Sequence, residues 1–138
     1  MTLFTQCIYE FHTSPDTLGI SVMSRHTGSN GWSEDLRIKN DSYTWAPDLA
    51  PSDSLAGAWY RSQRTGHPMT EQEFTALYLE HLNQDPQKAT LDLLLQLVLT
   101  TQRKPVLLCV EPRDAFCHRR LLAQRCQELA PQLTVVHL

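Results

Sequence analysis

The chain has 138 residues, 41% of them hydrophobic, and a formal net charge of -3. That length fits one domain, able to bury roughly two thirds of its unfolded surface without covalent staples. With no Lys/Arg run longer than Arg119-Arg120, the chain lacks the broad cationic footprint that binding to an extended nucleic-acid duplex needs. The longest apolar run, Leu93 to Leu99, is broken by Gln96 and is too short to span a bilayer, so no membrane partner is expected. The four cysteines, Cys7, Cys109, Cys117 and Cys126, form no CxxC pair, and no signal-peptide pattern precedes them. They read as reduced thiols of a cytoplasmic protein.

In chain order, Leu3 to Phe11 is rich in apolar and aromatic residues and ends in the turn cluster His12-Thr13-Ser14-Pro15-Asp16, which predicts a first strand. Gly19 introduces a second, Ile20 to Arg25. The stretch from about 26 to 50 has no countable period but holds Trp32, Tyr43 and Trp45, so it reads as a long ordered loop of the kind that lines a cleft. Pro51-Ser52-Asp53 supplies cap chemistry for a short helix through Leu55, Ala58 and Trp59. Thr70-Glu71-Gln72-Glu73 is a capping box, and Phe74, Leu77, Tyr78, His81 and Leu82 follow at the spacing of one buried helical stripe. Thr90 is expected to cap a broadly apolar helix through Leu91, Leu94, Leu95, Val98 and Leu99.

Val106 to Val110 is a continuous apolar run suited to a central strand covered on both faces. Asp114 is expected to cap the next helix, which carries Leu121, Leu122, Arg125 and Leu129 and is stopped by Pro131; Thr134 to Leu138 is a last strand. Strand, helix and strand in this order make a βαβ unit with a right-handed crossover. The chain is therefore read as one α/β domain over 1–138, a three-layer α-β-α arrangement around a small, mostly parallel sheet of about four strands.

Leu107-Leu108-Cys109-Val110-Glu111 followed by Phe116-Cys117-His118-Arg119 resembles the LLC-x-E…CHR signature of the domain-of-unknown-function 488 family. Ile20 to Arg25 resembles that family's short second strand ending in arginine, and Leu49-Ala50-Pro51-Ser52 its LAPS turn. Many members have an acidic residue just before that arginine, where this chain has Ser24, so no role of such an acid carries over. The resemblance implies an α/β fold and no established activity.

In an open parallel sheet the ligand crevice lies beyond the carboxyl ends of the strands. His12, Arg25 with His26, and Glu111 all follow predicted strands, and Cys117, His118 and Arg119 stand at a predicted helix start, where backbone N–H groups favour anions and thiolates. Cys117 is the expected nucleophile, its thiol lowered by that environment, with His118 or Glu111 carrying protons. Arg25 and Arg119 are the candidate anion clamps, with His12 and His26 beside them, although either arginine could instead pair with Glu111. Cys109 reads as a packing residue. Cys109, Cys117 and His118 offer metal-binding chemistry, but without paired spacing or an evident fourth ligand no metal is expected. No other cofactor is expected either, since the chain has no glycine-rich phosphate loop. Two functions follow: a protein that binds a small anionic, phosphate- or nucleotide-like ligand, acting as a thiol-dependent enzyme, or a non-catalytic interaction module in which the Cys-His-Arg segment is structural.

Overall fold

The computed structural model describes residues 1–27, 33–38 and 43–138. These form strands β1 (Thr2–Cys7), β2 (Thr17–Ser21), β3 (Thr44–Trp45), β4 (Lys104–Cys109) and β5 (Thr134–His137). The helices are α1 (Asp53–Ser62), α2 (Glu71–Leu82), α3 (Gln87–Thr100) and α4 (His118–Leu129). The strands join in the order β3-β2-β4-β1-β5, and every neighbouring pair is parallel. The α/β class with a parallel central sheet thus holds. No helix among the described residues is long and apolar enough to cross a membrane.

β4 lies at the centre because Val106, Leu107 and Leu108 can be buried on both faces, and all three are. On the Leu107 side, Leu3 and Ile20 meet buried residues of all four helices, among them Leu55, Tyr78, Leu94 and Leu122. On the Leu108 side, Val106 and Leu108 are covered by Phe11, Ile38 and Tyr43, which come from loops, and by Ile8 of a 3-10 turn. The helical layers of the expected α-β-α stack therefore gather on one face. The β1-to-β2 connection explains this, since the segment between Cys7 and Thr17 is shorter than a helical crossover requires and holds only a 3-10 turn, Ile8–Glu10.

Several boundaries differ from the sequence reading. β1 stops at Cys7, where the 3-10 turn begins, and β2 runs from Thr17 to Ser21, placing Gly19 inside the strand. The Phe11 ring packs so close to Gly19 that a Cβ there would lie 2.8 Å from it, so the glycine marks a close approach and not a strand start. α3 begins three residues before Thr90, whose hydroxyl instead bonds the Asp48 carboxylate and the Pro86 carbonyl. α4 begins at His118 with Cys117 as the preceding cap residue, and Asp114 lies in the turn before it. The fifth strand, β3, falls within the expected loop 26–50; Trp32 of that loop lies outside the described residues.

Candidate functional site

The carboxyl ends of β2 and β4, the start of α4 and the sides of α1 and α2 enclose a cavity of about 160 Å³. Its walls include Met23, Trp59, Tyr60, Phe74 and Phe116, and Arg25 stands at its rim. One end is chemically different, for there Cys109, Glu111, Cys117 and His118 converge. Cys109 ends β4, Glu111 follows two residues later, and Cys117 and His118 open α4, so a strand end and a helix start hold the four groups.

Both thiols donate to the same carboxylate oxygen, Cys109 Sγ to Glu111 Oε2 at 2.8 Å and Cys117 Sγ at 3.2 Å. Tyr60 donates its hydroxyl to the other oxygen at 3.4 Å. His118 Nε2 lies 2.7 Å from the Val22 carbonyl, which can only accept, so this nitrogen carries a proton. In the neutral ring that leaves the Nδ1 lone pair facing the sulfurs, 3.9 Å from Cys109 and 4.0 Å from Cys117.

These contacts set the protonation pattern. Burial drives the Glu111 carboxyl upward, but the hydrogen bonds it receives from the two thiols outweigh that and leave it below its ordinary value. Cys117 moves the other way, because its hydrogen bond with Cys109 and its burial raise the thiol far above the usual range. The neighbouring Cys109 and low exposure thus favour the protonated Cys117 sulfur, against the lowering that the helix start supplies. For His118, burial disfavours the charged ring, while the contacts with Cys117 and the Val22 carbonyl offset this and raise it above its ordinary value.

The remaining expected residues separate. Arg25 is largely exposed and pairs with Asp53 at 3.0 Å, not with Glu111. Arg119 is fully buried. Its guanidinium donates to the backbone carbonyls of Glu111 at 2.7 Å and Pro112 at 3.1 Å, and reaches Cys117 Sγ at 3.6 Å. It therefore ties down the turn between β4 and α4 and does not line the cavity, so the anion-clamp expectation does not describe its position. His12 is exposed and outside the cavity lining. His26 is buried against Ser21 Oγ at 2.7 Å, stacks on Trp45 with ring centroids 4.5 Å apart, and is outside the cavity lining. Cys109, assigned to packing, belongs to the cluster. The available signal was its spacing, since Cys109 and Glu111 are two apart at a strand end and so face the same way.

A family model described as the active DUF488-N3 subclade matches residues 14–130. The chain belongs to the DUF488 family. All four clustered residues, with Arg25 and Arg119, lie inside the matched span. No curated protein and no solved structure matches the chain.

Proposed function

We propose that this DUF488 protein is an enzyme that binds a small ligand bearing an anionic group in the strand-end cavity and acts on it with the thiol-bearing end of that cavity. The observation that carries the reading is the convergence of two thiols, a carboxylate and an imidazole in a hollow otherwise walled mainly by apolar and aromatic groups. Arg25 supplies the cation at the rim. Its pair with Asp53 is exposed, so exchanging that carboxylate for a ligand's phosphate or carboxylate costs little. Trp59, Tyr60 and Phe116 suit a planar, nucleotide-like body. Glu111 Oε2 is the proton acceptor nearest Cys117, and His118 Nδ1 the next. The family description, which speaks of an active subclade, agrees with catalysis and names no reaction.

The alternative of a structural Cys-His-Arg segment is favoured for Arg119 alone, because its guanidinium is spent on two carbonyls. The test is a thermal-shift screen of nucleotides and phosphosugars on chelator-treated protein, repeated with Arg25→Ala. A stabilising ligand whose shift shrinks in the variant, and which shields Cys117 from alkylation, supports the reading. Absence of any shift across the anionic set, or a shift identical in Arg25→Ala, overturns it.

A further inference from the structure

We propose that Cys109, Cys117 and His118 form a site for a zinc-class divalent cation, with one coordination position turned to the cavity and Glu111 beside it as proton acceptor. Their donor atoms all lie within 4.8 Å of one another. A tetrahedral ion at about 2.3 Å from sulfur and about 2.0 Å from nitrogen requires S···N separations of about 3.5 Å and an S···S separation of about 3.8 Å. The observed Sγ···Nδ1 distances of 3.9 and 4.0 Å exceed that requirement by only about half an ångström. The two sulfurs lie within 4.8 Å of each other, so binding draws the three donors together.

A second, independent observation concerns orientation. Histidines that bind metal through one ring nitrogen ordinarily donate the other N–H to a carbonyl or carboxylate, which fixes the tautomer. The bond from His118 Nε2 to the Val22 carbonyl does this and leaves Nδ1 as the donor facing both sulfurs. The framework is also in place. Arg119 holds the carbonyls of Glu111 and Pro112, so the turn linking the strand-borne cysteine to the helix-borne pair is set before any ion arrives.

Charge balance allows the exchange. In the empty site the Glu111 carboxylate faces two neutral thiols, with the Arg119 guanidinium behind them. Binding releases one proton from each thiol to solvent and inserts a doubly positive ion, so the buried charge is unchanged. Thiolate and imidazole donors select zinc and related ions over magnesium or calcium. Three protein ligands with a position open to a cavity is the pattern of a catalytic ion, whereas structural zinc is closed by four.

The proposal shares its residues with the enzyme reading but does not depend on the anionic ligand, and the two can fail separately. The experiment titrates reduced, chelator-treated, full-length protein with Co²⁺. One equivalent should produce sulfur-to-cobalt charge-transfer absorption and tetrahedral visible bands, both abolished by a subsequent equivalent of Zn²⁺. The Cys109→Ser/Cys117→Ser double variant should lose the charge-transfer band, while Cys7→Ser and Cys126→Ser should keep it. Absence of that band in wild-type protein at stoichiometric Co²⁺ overturns the site, and so does its survival in the double variant. The wild-type titration decides the matter even if a variant fails to fold. The chelator-treated thermal-shift screen with Arg25→Ala reads the anionic-ligand function independently.

Discussion

Arg119→Met is the substitution that separates a guanidinium used as internal scaffolding from one used as a ligand clamp. Methionine keeps most of the apolar stem that packs beneath the turn and removes the donors. The carbonyls of Glu111 and Pro112 then lose their charge-assisted partner, at about 1–3 kcal/mol each. Against this, among the described residues Arg119 Nε is buried without a hydrogen-bond partner, and removing it recovers about 1–3 kcal/mol. The balance is a destabilisation of about 2 kcal/mol. In urea, with a slope of about 2 kcal/mol/M, the midpoint should fall by about 1 M without a change in slope. Arg119→Lys should fall between the two, because one ammonium cannot span both carbonyls as the planar fork does. A methionine variant within about 0.5 kcal/mol of wild type, the range of an ordinary surface change, would refute the scaffolding argument.

Three further outcomes are expected. The Cys126 thiol is pushed up to about 12 from 9.0, chiefly by burial, so its folded value exceeds its unfolded one. The stability it contributes is complete below pH 9 and drains away as pH rises, by about 1.4 kcal/mol at pH 10; urea midpoints at pH 8 and pH 10 should therefore diverge less in Cys126→Ala than in wild type. Thr70→Ala removes the hydroxyl that caps the Glu73 N–H at 3.1 Å and should cost about 1 kcal/mol, read by chemical denaturation. Ser21→Ala deletes the buried 2.7 Å contact with His26 and should cost about 1–2 kcal/mol, with a change in the fluorescence of Trp45, which stacks on that ring; an unaltered Trp45 signal would mean the ring is held by its other neighbours.

What was legible in the sequence was whatever depended on local pattern. The period of Phe74, Tyr78 and Leu82 and the cap at Thr70 place α2 at Glu71–Leu82, and the unbroken apolar run at Val106 marks the central strand. The missed features depend on contacts between distant residues. β3 is two residues long and exists because Ile20 and Ser21 offer a free edge, which nothing in Thr44-Trp45 announces. The start of α4 shifted from Asp114 to Cys117 because Arg119 holds the preceding turn in another shape, a constraint supplied by a buried guanidinium that local cap statistics do not include. Arg25 found Asp53, a partner 28 residues away that no short-range pairing rule suggests.

The same logic explains why two thiols and an imidazole were visible in the sequence while their convergence was not. Spacing rules for zinc encode ligands held by one local element, such as a knuckle with two cysteines three positions apart. Here Cys109 and Cys117 are eight positions apart, and their sulfurs meet only because β4 ends against the helix start that the chain reaches after one turn. Neighbours along a helix do not share a face, so His118 points across to Val22 and the sulfurs while Arg119 turns beneath the turn. A tripeptide that reads as one motif is thus divided between two tasks, and the division makes a sharp prediction. His118→Gln, whose amide can still donate to the Val22 carbonyl, should weaken Co²⁺ binding at a smaller cost in stability than Arg119→Met, which should affect Co²⁺ only through displacement of the turn, so the two variants should rank in opposite order in the two assays.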